Sequence, residues 1–356
     1  MKSFTVNSTG IKNTLLLASA AMLLVSTGCK KGHETPKLHV TTVASGLAGP
    51  IGIETDSWGN IWVTEGGTDT LNAKGSTHND DGKVIVITPG GQKYDAIINL
   101  STYKNVHSGE LQGTEHILRD GNTMYVLSGD YLYRADISRF RAGDKPIDAN
   151  NIHSEDIGAI ISQIPSPNNP QMDSHPYNLT KGPDGDLYIT DAGANAVLHR
   201  KGENNYSILA EIPAANNPSF PGLGGPKAQA VPTSIRYDGS NFLVTTLTGF
   251  PFSAGQATIY KVSMSGDVSI YQSGFTMLVD QAAGSYTNHI VLQYAMSFNP
   301  AAGFLPNSGS LLWVNGSTTQ LLTGGLNQPA GIKQVNDHTW YVTSVADGSV
   351  LKVAYE

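Results

Sequence analysis

Pro183-Asp184-Gly185-Asp186-Leu187-Tyr188-Ile189 reads as a tight turn delivering an apolar strand. Gly and Asx residues accept the positive φ that a hairpin turn demands, and the following run has strand composition. The pattern is not solitary. Apolar triplets, most with an aromatic residue at or beside the centre, recur as Ile61-Trp62-Val63, Met124-Tyr125-Val126, Leu187-Tyr188-Ile189, Phe242-Leu243-Val244, Ile290-Val291-Leu292 and Trp340-Tyr341-Val342. Each follows a short polar turn, among them Asp56–Asn60, Arg119–Asn122, Asp238–Asn241 and Asn336–His338. Counted between first residues, the spacings are 63, 63, 55, 48 and 50. Self-similarity at that period points to a repeat architecture.

Working outward from each triplet, a further apolar segment precedes the turn and a third follows the triplet, for example Val84–Ile87, Tyr131–Tyr133, Val197–His199, Ile259–Val262, Leu311–Val314 and Val350–Val353. A fourth closes most units: Ala96–Ile98, Ile160–Ile164, Ser207–Leu209, Val268–Tyr271 and Gln320–Leu322. Four antiparallel strands per unit make a propeller blade. The last unit stops after its third strand, while His39–Ala44 has an outer strand's character and stands before the first inner strand. Pairing these two segments closes the ring and removes an exposed edge. The fold expected is therefore all-β, a six-bladed β-propeller over residues 38–356 closed by its own N-terminal strand. Two smaller β-sandwiches are the competing arrangement, and they leave the complementary ends unexplained.

Composition agrees. The 356-residue chain has 39 Gly and 18 Pro with only 14% charged residues, which suits short strands and tight turns. Its N-terminus reads as an export signal: Lys2 and Lys12 precede an apolar run, Leu15–Val25, too short for a membrane span. Ser26-Thr27-Gly28-Cys29 resembles a bacterial lipobox, and Cys29 is the sole cysteine. Residues 1–28 are thus expected to be a lipoprotein signal peptide, Cys29 the lipidation site, and residues 29–37 a polar tether. An ordinary signal peptide cut elsewhere is the competing reading. The localisation expected is the bacterial cell envelope, at the periplasmic face or the cell surface, with membrane contact through the anchor only. Without its first 28 residues the chain holds 20 basic and 29 acidic residues, a net charge of −9. That balance, with no basic cluster, argues against nucleic acid. A monomer is expected.

With strands lettered a to d from the axis outward, a–b and c–d turns lie on one face and b–c and d–a loops on the other. The a–b turns are short, and so are the c–d turns apart from Asp136–Asp156 in the second blade. The long loops are Glu65–Asp81, Ser101–Thr114, Pro165–Pro176, Pro213–Pro232, Leu247–Gln256 and Ala295–Ser310, all on the second face. Long loops held on one side of a rigid scaffold mark a binding face, for a small molecule, a glycan or a protein. Candidate ligand-binding residues near the axis there are Glu65, Glu115, His116, His175, Tyr177, Asn178, Asp191, Asn195 and Asp280. Phe250 and Phe252 in Thr248-Gly249-Phe250-Pro251-Phe252 are placed to stack on a flat ligand or to pin the loop. Asn195 equally suits a turn that caps backbone amides. Glu65, Glu115, Asp191 and Asp280, converging from four blades, offer the oxygens that Ca²⁺ or another divalent cation requires, or an acid–base pair for a metal-dependent hydrolase or lactonase. A water-filled polar channel is the bland alternative. A quinone-cofactor dehydrogenase needs cationic groups that the axial residues beyond His116 do not supply. No catalytic residue is assigned.

Tyr188–Asn195, Val231-Pro232-Thr233, Thr248–Phe252 and Tyr260-Lys261-Val262 together resemble the ScyD/ScyE family, and Val43–Leu47, Gly49–Gly52, Tyr294-Ala295 and Asn327–Gly331 fit the same pattern. The resemblance covers residues 38–353 and is strongest over 175–280. It implies an exported six-bladed propeller with a layout like NHL-repeat and SMP-30 proteins, and it supplies no reaction and no catalytic residue. Two departures stand out: the Pro-Asp-Gly turn survives only at Pro183–Gly185, and Gln293 stands where an acid is expected.

Overall fold

Six sheets, each built on four antiparallel strands and one of them extended to six, account for almost all regular structure in the computed structural model, which describes residues 37–67, 78–104, 111–284 and 289–355. Every apolar triplet lies in the second strand of its sheet: Ile61–Glu65, Thr123–Ser128, Leu187–Asp191, Phe242–Thr246, His289–Gln293 and Thr339–Ser344. The triplets are continuous rather than alternating because each sheet is covered on both faces by its neighbours. Trp62 and Val84 pack with Met124 and Val126 of the next blade, whereas Ile61 and Val63 pack with Val350 of the preceding one. Six such cores, one between each pair of neighbouring blades, complete the circuit. Burying a Val, Leu or Ile side chain contributes about 1.5–3 kcal/mol, so this repeated packing dominates the stabilisation.

The ring closes as the sequence indicates. Leu38–Ser45 runs antiparallel to Ser349–Tyr355, with Val40 opposite Val353 and Ala44 opposite Val350. This is a six-bladed β-propeller.

A second device joins the blades near the axis. The inner strands are bulged, and the bulge leaves one amide without a ladder partner. A threonine from the second strand fills it: Gly52 N–H donates to Thr64 Oγ1 at 2.7 Å, Asn178 to Thr190 at 3.2 Å, Ser234 to Thr245 at 3.2 Å and Gly331 to Thr343 at 2.7 Å. Thr190 and Thr343 also donate to Thr233 O and Ile51 O of the following blade. At the seam the inner strands approach so closely that a Cβ on Gly331 would sit 2.1 Å from Ile51 O.

One outer strand differs from expectation. Ile160–Ile164 is not the fourth strand of blade 2; that strand is His153–Asp156, and Ile157–Ile161 is a helical turn. The polar strand is held by the Glu155 carboxylate, which accepts from Arg200 Nε at 2.9 Å, Tyr206 Oη at 2.9 Å and Asn204 N at 2.9 Å. Asp156 then caps the turn by accepting from Ala159 N at 2.8 Å, and Ile157 and Ile161 bury their side chains. The long c–d excursion of this blade reaches back to blade 1, where Ile147–Asp148 pairs in parallel with Ile97–Ile98 and Phe140 packs on Trp62. It covers a sheet edge.

Residues 1–36, with the signal segment, Cys29 and most of the tether, lie outside the described residues, as do parts of the Glu65–Asp81 and Ser101–Thr114 loops and of the Gly284–Asn288 turn.

Candidate functional site

The inner strands build the site by a simple register. One residue per blade, Gly52, His116, Asn178, Ser234, Asp280 or Gly331, meets at the axis. Asp280 ties them together. Its Oδ1 accepts from Ser234 Oγ at 2.8 Å, Gln281 N at 2.8 Å and Asn178 Nδ2 at 3.2 Å, and its Oδ2 accepts from Ile332 N at 2.8 Å. His116 Nδ1 lies 4.0 Å from Oδ2. Burial holds the His116 imidazole below its ordinary pKa, against the opposing pull of Asp280 and Glu115. This knot stands between two cavities. The one toward the a–b turns, about 290 Å³, includes Glu54, Arg236 and Lys333 in its lining.

The larger cavity, about 690 Å³, opens on the loop-rich face. Its floor consists of the residues that immediately precede the axial ones: Ile51, Glu115, Tyr177, Thr233, Val279 and Ala330. Its walls come from b–c and d–a loops, and they divide by blade. Leu247, Phe250 and Phe252 from blade 4 and Tyr294, Phe298 and Phe304 from blade 5 form an aromatic side. The ring centroids are 4.9 Å apart for Phe252–Phe298, 5.1 Å for Phe252–Phe304 and 5.0 Å for Tyr294–Phe304. Phe250 is 51% exposed. Opposite lie Gln112, Glu115, Asp173, His175 and Tyr177 from the neighbourhood of blades 2 and 3.

Local sequence explains how the polar side is held. Asp191 is fully buried and accepts from His175 N at 2.7 Å, Ala194 N at 2.8 Å and Ser174 Oγ at 2.6 Å. It clamps the Ser174-His175 loop onto its own turn. Gly193 permits that contact, since a Cβ there would meet the Ser174 and His175 backbone at 2.8–3.0 Å. Asn195, at φ +53°, accepts from Val231 N at 3.0 Å and so ties in the next loop. The Asp-Ala-Gly-Ala-Asn motif is therefore a scaffold that delivers His175. His175 Nε2 reaches Glu115 Oε1 at 3.1 Å, and the Tyr177 ring stands edge-on to both His116 and His175. Burial raises the Tyr177 phenol well above its usual pKa, reinforced by the charges of Glu115 and Asp280.

Of the sequence candidates, the structure brings Glu115, His175, Tyr177, Phe250 and Phe252 to one cavity. It sends the rest elsewhere. His116, Asn178 and Asp280 form the axial knot, Asp191 and Asn195 organise loops, and Glu65 accepts from Ala48 N at 2.8 Å and pairs with Lys83 at 3.1 Å. Of the carboxylates expected to converge, Glu65, Glu115, Asp191 and Asp280 each accept from backbone or side-chain donors of their own surroundings, and no three of them form a group at ligand spacing. Among the described residues, the one group of three acid or imidazole side chains at ligand spacing is Asp184, Asp186 and His199, at the turn of blade 3 on the opposite face. Gln293, where an acid was expected, accepts from Thr276 N at 3.3 Å and donates to Ser310 Oγ at 3.3 Å. Sequence reasoning missed Phe298 and Phe304. They sit on a minimal hairpin, Phe298–Asn299 with Gly303–Phe304, inside a loop already marked as long. Two phenylalanines flanking a short turn were the available signal.

No protein-family model and no curated protein sequence matches the chain. Solved structures do. Virginiamycin B lyase from Staphylococcus aureus is 15% identical with a TM-score of 0.51, covering 90% of this chain and 99% of that one. A PQQ-bound aldose sugar dehydrogenase from Streptomyces coelicolor is 13% identical with a TM-score of 0.56, covering 90% and 100%. A gluconolactonase from Xanthomonas campestris is 8% identical with a TM-score of 0.56, covering 90% of each. The chain shares their six-bladed propeller. At these identities the likeness is one of fold.

Proposed function

We propose that the chain is an exported, lipid-anchored propeller of the ScyD/ScyE type that binds a small molecule in its loop-face cavity. The observation that carries this reading is the coincidence of three features: the long loops, a cavity of about 690 Å³, and five of the residues that sequence alone marked as candidates. A concave, mostly apolar pocket with a few grouped polar side chains is the usual form of a ligand site. Its volume favours a small molecule over a glycan or a protein surface. Lipidation at Cys29 would hold the molecule at the envelope, with the anchor as its membrane contact.

A second reading, acid–base catalysis, is favoured by the Glu115–His175 pair beside Tyr177. A carboxylate bonded to an imidazole fixes the ring's tautomer and orientation, as a general base requires. The names of the structural neighbours include lyase, gluconolactonase and dehydrogenase chemistry, and any of these would need turnover to be demonstrated. A PQQ-type cofactor does not fit the described lining, which is acidic and has neither Lys nor Arg to hold an anionic quinone.

Native mass spectrometry of the full chain, purified from its own envelope, tests the binding reading. A stoichiometric small molecule retained by the native chain and lost from Phe252→Ala is the expected result. Absence of bound mass, or its retention in the variant, speaks against the cavity. Conversion of that molecule by the native chain but not by His175→Gln would favour the enzymatic reading.

A further inference from the structure

We infer that the loop-face cavity takes a cationic ligand, an apolar or aromatic body carrying a protonated or quaternary nitrogen. The inference rests on the cavity being the binding site and specifies what it selects. Three independent observations point the same way.

The first is the charge of the lining. Its ionisable carboxylates are Glu115 and Asp173, and no Lys or Arg is among the described residues that form it. Among the described lining residues His175 is the one imidazole and it is paired with Glu115, so even a protonated ring offsets one carboxylate and leaves the other. Asp191 and Asp130 stand behind His175, and Asp280 lies beneath the floor. These carboxylates make the field across that side negative, and they add to burial, the larger cause, in raising the neighbouring phenols. Tyr177 is pushed upward by burial and by Glu115 and Asp280, and Tyr103 by burial and then by Asp130, Asp173 and Asp191. From the described residues an anionic ligand would meet repulsion there.

The second is an unused acceptor. The Glu115 side chain is 3% exposed, and its Oε2 has no hydrogen-bond partner among the described residues. Oε1 already accepts from Gly113 N at 3.2 Å and from His175. A buried carboxylate is tolerated when cationic or hydrogen-bonding partners satisfy it, and this one is only half satisfied.

The third is the opposite wall. Phe250, Phe252, Phe298, Phe304 and Tyr294 present ring faces and edges around one side of the cavity. Aromatic faces attract a desolvated cation as well as an apolar body. An aromatic wall facing an acidic corner suits a molecule that is greasy and positive at once, and it suits neutral sugars or organic acids poorly.

The experiment is calorimetric titration of the full chain with three matched probes: naphthylmethyl-trimethylammonium, its uncharged carbon isostere, and naphthylacetate. The cationic probe is expected to bind at least about tenfold more tightly than the neutral one, with the anion weakest. Glu115→Gln should shrink that preference to within about threefold. Should that variant melt well below the native chain, Asp173→Asn on the half-buried loop provides the same comparison. Neutral and cationic probes binding equally, or the anion binding best, overturns the charge assignment while the cavity reading stands. Failure of all three probes to bind, with no change on Phe252→Ala, overturns the cavity reading and the inference together. Binding of the cationic probe in the presence of EDTA excludes mediation by a divalent ion; loss of the preference under EDTA overturns the direct carboxylate role.

Discussion

Replacing Asp280 by Asn separates a structural role at the axis from a functional one. The carboxylate accepts four hydrogen bonds from groups of four blades, its own included, three at Oδ1 and one at Oδ2. An asparagine keeps one carbonyl oxygen for the Ser234, Gln281 and Asn178 donors. Its amide must then face the Ile332 N–H, donor against donor. Leaving that buried amide unsatisfied costs about 1–3 kcal/mol, and the remaining bonds lose charge assistance worth about 0.5 kcal/mol each. Relief of the buried charge offsets part of this. The net expectation is a loss of about 2–3 kcal/mol. For a domain of this size that corresponds to roughly 3–5 °C in melting temperature. Urea unfolding followed by tryptophan fluorescence should show a lower midpoint with an unchanged slope, while ligand affinity in the loop-face cavity stays within about twofold. A variant that unfolds like the native chain but no longer binds ligand would refute the structural assignment of Asp280 and restore it to the site.

Three further outcomes follow from other parts of the molecule. Asp130 has its pKa raised to about 6 by burial, despite the hydrogen bond from Tyr103, so the folded chain binds this proton more tightly than the unfolded chain and its contribution to stability is lost as pH rises through 6. Asp130→Asn should therefore be more stable than the native chain above about pH 6, by about 1–2 kcal/mol after solvent screening, with the difference closing below about pH 4. Equal urea midpoints at pH 8 would contradict this. Gly331→Ala places a methyl 2.1 Å from Ile51 O at the seam between the last and first blades, and should cost at least about 2 kcal/mol in the same assay; a native-like midpoint would show that the seam can open. Cys29→Ala should move the protein from the membrane to the soluble fraction of the envelope, and unchanged partitioning would refute the anchor.

The blades were readable because their defining signal is local. A strand covered on both faces must be apolar at successive positions, and Trp62, Tyr188 and Phe242 each come within two residues after a short polar turn. The outer strand of blade 2 was not readable, because His153-Ser154-Glu155-Asp156 owes its place to an ion pair with Arg200, 45 residues away in sequence. An apolar run nearby, Ile160–Ile164, carried the strand composition but was drawn into a capped turn by Asp156. The same asymmetry governs the site. Phe250 and Phe252 announce themselves around a proline, and Glu115 and His175 lie at strand ends where the loops converge. Nothing in the sequence distinguishes Glu115, with one acceptor unused, from Asp191 and Asp280, whose oxygens are engaged by Ser174 Oγ, Ala194 N and Ile332 N. That difference resides in partners contributed by other loops and blades.

Crystals of the full chain soaked with a library of small aromatic fragments, charged and neutral, would locate the working surface without knowledge of the natural ligand. Fragments should collect between Phe252 and Glu115 on the loop-rich face. Density confined to the cavity near Glu54 and Lys333, or scattered over the outer strands with the loop-face cavity bare, would contradict the assignment.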